Sequence, residues 1–253
     1  MKKITRTLIL IAAAAAAFFS CKKDDTLRYD NFTMGNFEGD AIISDQGNIF
    51  DVVEIDSKID LSKFESGRIM MVCDVLKETS ENRYDIRLKS ATSVLVKDCV
   101  NKSTITEDSG EYSVSNPIIV KELWYAGGYL NMLVEFARKT GSETVHYINL
   151  INDDTIAEAG KYTFTLLHDA KGETPSEDDK EYTSAFGYVS FPISGLIKED
   201  KAKICLKWKS HKFSGSGYSL TETEEISNDY DWERVGFEQT PKTVQPKTCN
   251  DLK

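Results

Sequence analysis

Histidine is scarce in this chain of 253 residues: His146, His168 and His211 are the whole complement, and none stands in an HxH or HExxH pair. A zinc site needs three or four ligands in tetrahedral array, and no cysteine pair has the CxxC spacing that could supply them, so no metal ion is expected. The chain lacks a GxSxG elbow, since Ser214-Gly215-Ser216-Gly217 has the wrong spacing and reads as a flexible turn. It has no Walker loop and no GxGxxG, so no nucleotide or other cofactor is expected. Apolar residues never recur at helical period over ten or more positions, which argues against a helical core. The longest apolar run, Leu8 to Phe19, has 12 residues; a membrane-crossing helix needs about 20. Basic residues are outnumbered, 31 Lys and Arg against 41 Asp and Glu. Nucleic-acid binding rests on Lys and Arg displacing counterions from phosphate, so nucleic acid is not expected as a partner.

That short apolar run is nevertheless informative. Lys2, Lys3 and Arg6 precede it and Ser20 and Cys21 follow it, the basic, apolar, small order of a secretory signal. Phe18-Phe19-Ser20-Cys21 resembles a bacterial lipobox with Phe in place of the commoner Leu. The resemblance implies that residues 1–20 are a signal peptide, that Cys21 carries two or three acyl chains, and that residues 21–36 are a tether. One chain anchors a protein only marginally, whereas two or more hold it stably, so the membrane is an expected partner through Cys21. Lys22-Lys23-Asp24-Asp25 resembles the acidic export tag of surface lipoproteins in gut Bacteroidetes, which implies a place at the outer membrane, facing outward; the other reading of this stretch is a solvated spacer. Loss of residues 1–20 removes three basic and no acidic residues, and the net charge of −10 becomes −13.

The mature length exceeds the commonest single-domain size of about 100–150 residues, so two domains are expected. Both read as β-structure, and the fold class is all-β. In the first, Tyr84, Ile86 and Leu88 alternate with Asp85, Arg87 and Lys89, the period of a half-buried strand. Strands are expected near 40–44, 48–54, 68–77, 83–90 and 92–100. Ser44-Asp45-Gln46-Gly47 and Glu78 to Asn82 supply the turns. About five strands over 37–101 suit a small, partly open barrel of the OB type. Residues 102–115 lose the alternation, gain Ser, Thr, Glu and Asp, and read as a linker. Beyond it Leu130, Met132, Val134 and Phe136 share a face, as do Tyr162, Phe164 and Leu166, and Val189, Phe191 and Ile193. With 117–125, 143–151, 201–209 and 217–223, about seven strands over 116–240 argue for an antiparallel sandwich. Residues 241–253 read as a tail.

With Cys21 acylated, Cys73, Cys99, Cys205 and Cys249 remain, and four cysteines allow three connectivities. Alternation puts Cys205 on the face of Lys203, Lys207 and Lys209, so it is expected to point outward, within reach of Cys249. Cys73 with Cys99 would then be an intradomain disulfide; the other reading is free buried thiols.

Two segments resemble the opening of the C-terminal domain in NigD-like lipoproteins: Asn116-Pro117-Ile118-Ile119-Val120, and Trp124-Tyr125-Ala126-Gly127-Gly128-Tyr129-Leu130-Asn131-Met132. Leu167-His168-Asp169 and Gly187-Tyr188-Val189-Ser190-Phe191 agree with that family, as do Gly67-Arg68 and Tyr84 to Lys97 with its N-terminal domain. The resemblance implies a lipid-anchored OB-like barrel followed by a β-sandwich. It implies no catalytic residues. The family name comes from a gene beside a bacteriocin, from which an immunity role was inferred. The extra cysteines and the longer polar tail depart from the family.

Catalysis needs convergent groups of tuned protonation, and none is legible. His168 continues the Tyr162–Leu166 face and reads as a strand-end residue hydrogen-bonded locally. Asp153-Asp154, Glu177-Asp178-Asp179, Asp229, Asp231 and Glu233 read as solvated surface. Trp124, Tyr125 and Tyr129 bracket the Gly127-Gly128 turn, with Trp124 expected in the sandwich core and Tyr129 over a sheet edge. Tyr230 and Trp232, in a very polar stretch, are the candidate stacking residues for a ligand. The expectation is a non-enzymatic binding protein with a protein ligand; a glycan ligand is the alternative.

Overall fold

The computed structural model describes residues 27–64, 67–106, 110–155, 159–175, 181–211, 223–233 and 247–248; for 27–32, 211, 223–233 and 247–248 only the strand path is described. Strands β1 (Leu27–Glu38), β2 (Ala41–Ser44), β3 (Ile49–Ile55), β4 (Arg68–Ser80) and β5 (Arg83–Ser93) form a closed barrel in the order β1-β2-β3-β5-β4. β3 and β5 run parallel and the other pairs antiparallel. Closure removes sheet edges, and the alternation read from sequence supplies the filling: Ile42, Phe50, Ile69, Met71, Cys73, Val75, Ile86 and Leu88 are its buried core. The Ser44–Gly47 turn is as expected, with the Gly47 N–H donating to Ser44 O at 2.9 Å and Gly47 at φ +84°. Asn82, at φ +57°, makes the turn between β4 and β5, a position asparagine tolerates better than most residues.

Ten further strands make two facing sheets. One has the order β14-β13-β11-β10-β7, from β7 (Cys99–Asn101), β10 (Tyr147–Asn152), β11 (Lys161–Asp169), β13 (Lys201–His211) and β14 (Thr223–Glu233). The other is β15-β8-β9-β12-β6, from β6 (Leu95–Val96), β8 (Ile119–Ala126), β9 (Tyr129–Lys139), β12 (Tyr182–Pro192) and β15 (Lys247–Thr248). Val120, Leu123, Leu130, Met132, Val134, Val189 and Phe191 from one sheet meet Ile148, Leu150, Phe164, Leu166, Ile204, Leu206 and Trp208 from the other. Each such side chain stabilises the fold by roughly 1.5–3 kcal/mol of burial.

The barrel and sandwich are as expected, except that the barrel is closed where a partly open one was expected, because β1 pairs with both β2 and β4, and their bounds shift. β1 lies mostly in the stretch assigned to a tether, because polar Arg28, Asp30 and Asn31 mask its alternation. The expected strand at 92–100 does not close the barrel. It breaks after β5, and β6 and β7 pair parallel with β12 and β10 of the sandwich. β11 and β13 are parallel as well, so the sandwich is mixed where an antiparallel one was expected. Residues 102–115 hold short 3-10 turns and no strand among the described residues. The expected strand at 217–223 lies almost wholly outside the described residues.

The Cys73–Cys99 disulfide is not formed. Cys73 is in the barrel core, whereas Cys99 packs against the sandwich core, in the other module. Neither these two nor Cys205 forms a disulfide among the described residues. Alternation does turn Cys205 away from the core that takes Ile204 and Leu206, but it is only 7% exposed, because its strand is flanked on both sides by β11 and β14. Cys249 lies outside the described residues.

Candidate functional site

Two clusters of buried polar side chains lie apart from the apolar cores, one between the modules and one at an end of the sandwich. The first centres on Arg68, the opening residue of β4, which is 1% exposed. A buried guanidinium survives only if it is paired and hydrogen-bonded, and all five of its N–H groups find acceptors. Nε donates to Ser190 Oγ at 2.9 Å, one terminal nitrogen to Asn36 Oδ1 at 3.1 Å and Asp45 Oδ1 at 2.9 Å, and the other to Asp45 Oδ2 at 2.7 Å and Asn131 Oδ1 at 2.9 Å. The ring of Tyr129 covers the guanidinium, its centroid 4.0 Å from Cζ.

Asn36 and Asp45 belong to the barrel; Ser190, Asn131 and Tyr129 belong to the sandwich. One side chain therefore bonds both modules. Burial pushes the Asp45 carboxyl above its ordinary range, against the pull of Arg68. Alongside, Met34, Met70 and Val94 of the barrel end pack against Trp124 and Tyr188. The aromatics around Gly127-Gly128 thus have another use than expected: Trp124 packs in this inter-module cluster and Tyr129 on Arg68, while Tyr125 packs against the sandwich core.

The second cluster joins two histidines that are far apart in sequence. Register pairs Ile148 of β10 with His168 of β11, which sets residue 146 diagonally beside 168 on one face. His146 Nδ1 lies 3.0 Å from His168 Nε2, His168 Nδ1 lies 3.0 Å from Pro117 O, and His146 Nε2 lies 3.2 Å from Glu173 Oε2. Glu173, in the turn after β11, also accepts the Ser142 hydroxyl and, at 3.3 Å, the Lys139 backbone N–H. Phe136 covers both imidazoles, at centroid distances of 4.8 and 5.6 Å. Burial lowers His168 to about 4, opposed by its bond to Pro117 O. Glu173 is held down at about 2, chiefly by the Ser142 hydroxyl.

His168 is therefore bonded across the fold and not locally as expected. The cluster has the wrong order for nucleophilic catalysis, because Ser142 faces the carboxylate and not an imidazole base. His146 turns its two nitrogens to opposite partners, so the group does not converge on a point where a metal could sit, and among the described residues no cluster of ligating side chains does. The cavity beside His168, between Asn116, Pro117 and Thr174, measures about 10 Å³, room for a single water.

Asp153 and Asp154 bind the 102–104 turn: Asp153 pairs with Lys102 at 2.9 Å, and Asp154 accepts the Ser103 backbone N–H at 2.9 Å as well as its hydroxyl. In β14, Tyr230 and Trp232 stand opposite Ile204 and Ala202 in register; their side chains, like Cys21, Glu177-Asp178-Asp179 and the side chain of His211, lie outside the described residues. Sequence reasoning missed both clusters, whose members are brought together only by strand register and by the packing of the two modules.

Residues 101–221 match the model of the NigD-like C-terminal beta sandwich domain. Among solved structures, the chain resembles a protein of unknown function from Bacteroides vulgatus, at 18% identity and a TM-score of 0.60 over 81% of this chain and 92% of that one. It resembles a NigD-like immunity protein from Bacteroides caccae at 18% identity and 0.54, over 81% and 96%. A third likeness, at 13% and 0.51 over 82% and 98%, is to a protein from Bacteroides fragilis provisionally named a lipoprotein. At such identities the likeness is one of fold. Among the curated proteins none matches.

Proposed function

We propose that the chain, whose residues 101–221 match the model of the NigD-like C-terminal beta sandwich domain, is a non-catalytic outer-membrane lipoprotein, anchored through Cys21, that binds a protein partner in an immunity-like role. The carrying observation is the Arg68 joint, whose five engaged donors fix barrel and sandwich as one body. A rigid surface loses little freedom on association, and that is where a binding protein gains affinity. The net charge of −13 on the mature chain favours a partner with a basic surface, because opposite potentials speed encounter and exclude wrong partners. The relative named an immunity protein points the same way.

Two measurements test this reading. Membrane fractionation and mass spectrometry compare the wild type with Cys21→Ala: lipid mass on Cys21 and its loss from membranes in the variant are expected, and equal partitioning contradicts the anchor. Capture from the producing cells compares the wild type with Arg68→Met, which should release the partner if the joint shapes the binding surface. Retention on polysaccharide arrays with no captured protein would favour a glycan ligand, and turnover of a small molecule would remove the non-catalytic reading.

A further inference from the structure

The segment leading into β10 is pinned from one side. Over residues 142–147, Ser142, Thr144 and His146 turn toward Glu173 and His168, while Glu143, Val145 and Tyr147 are exposed. Glu173 sits in the turn after β11, so a single carboxylate holds two loops together.

The partners of the two rings select their tautomers. Pro117 O can only accept, so His168 Nδ1 carries a hydrogen; the Glu173 carboxylate can only accept, so His146 Nε2 carries one as well. Between His146 Nδ1 and His168 Nε2, 3.0 Å apart, there must be one proton and only one. Two bare nitrogens would oppose their lone pairs, and two N–H groups would collide.

We propose that this histidine pair is an acid-released clasp: with a single proton between its rings it locks loops 140–146 and 170–175 together, and uptake of a second proton there opens them while both modules stay folded. The second proton would set two N–H groups against each other in a buried site and abolish their bond. The surrounding charges do little to offset this. Asp169 on β11 favours a charged His168, but its carboxylate is taken by Lys171 at 2.6 Å, which in turn feels Tyr147 and Glu111. From β9 come the backbone N–H of Lys139, whose ammonium pairs with Glu181 at 3.1 Å, and the Phe136 ring. From the 116–117 segment come Asn116 Oδ1, which accepts the Ala170 N–H, the Asn116 backbone N–H, which donates to His168 O at 2.7 Å, and Pro117 O.

Hydrogen exchange on the full chain, read by mass spectrometry from pH 7.5 to 3.5 and corrected for intrinsic rates, tests the clasp. A histidine that titrates at about 4 closed and near 6.5 open should raise the opening constant about tenfold per pH unit between those values. Protection at Lys139, Thr144 and Glu173 should thus fall a few hundredfold, while Met71 and Val134 in the two cores stay protected. His168→Gln should flatten the dependence. Imidazole nitrogen resonances of the wild type, which need no variant to fold, should report one proton held between His146 Nδ1 and His168 Nε2 in the closed state. Loop protection independent of pH, loss at the same pH as Met71 and Val134, or no proton between the two rings would each overturn the proposal.

Discussion

Gly127 faces the Asp45 carboxylate so closely that a Cβ built on it would lie 2.3 Å from Oδ1 and 2.7 Å from Cγ. Its φ is +60°, and Gly39 has almost the same backbone, φ +64°, with nothing within 4 Å of its imagined Cβ. The two glycines therefore separate backbone strain from contact. Gly39→Ala should cost only the left-handed penalty, about 1–2 kcal/mol. Gly127→Ala carries that penalty and also displaces Asp45 from Arg68, which should add about 3 kcal/mol. Urea unfolding of both variants checks this, and equal losses would mean that the turn can shift without disturbing the joint.

Arg68 itself gives a sharper test, because lysine keeps the charge but has three donors where five are engaged. Arg68→Lys should lose most of the stability that Arg68→Met loses, about 3–5 kcal/mol, since either change leaves Asp45 buried and poorly paired. Asp45→Asn added to Arg68→Met should restore part of it by removing the stranded charge. A loss below about 1 kcal/mol in Arg68→Met would show that the modules hold together without the ion pair.

The joint also shows what was legible in the sequence. Alternation gave the strands of both cores, since burial of one face imposes a period of two on each strand. Ser44 to Gly47 carried its own turn chemistry. Gly67-Arg68, Trp124 to Met132 and Gly187 to Phe191 were recognisable as family-like segments, and the structure brings parts of all three to the same joint. Nothing in their spacing said so. Contact between Arg68 and Ser190 spans 122 residues and depends on how two finished modules dock. β1 was hidden for another reason: its polar residues break the alternation that would have marked it. The histidine pair was closer to reach, because a hairpin register summing 148 with 168 already sets 146 beside 168, but that register had to be known first.

Stability should fall as the pH drops from about 6.5 to about 4. His168 is lowered to about 4 in the fold, so within that window the unfolded chain binds a proton that the folded chain refuses, and unfolding is favoured as the pH falls. The full effect is roughly 3 kcal/mol. Glu173, held at about 2, acts in the same sense below its ordinary value of 4.5. Asp45 acts in the opposite sense, because burial raises it and protonation then favours the fold. The difference between wild type and His168→Gln, measured by urea unfolding at pH 7 and pH 4.5, isolates the histidine: the wild type should lose more stability on acidification than the variant. Equal losses would assign the acid sensitivity elsewhere.

Cys73 and Cys99 should behave as inert thiols and not as a disulfide. Each is pushed up to about 12, by burial first and by a neighbouring aspartate, Asp74 for Cys73 and Asp98 for Cys99. The thiolate is the reactive species, so at neutral pH almost none is present; Cys73 lies in the barrel core and Cys99, partly buried, packs against the core of the other module. In the folded protein neither should react with iodoacetamide over hours, whereas both should label at once in urea without any reductant. Labelling of Cys73 and Cys99 in urea only after reduction would restore a disulfide, and with it a fold in which the two modules are cross-linked. Fast labelling in the native state would instead mean that the barrel opens locally around β4, and would place the weak point of the molecule in the strand that also carries Arg68.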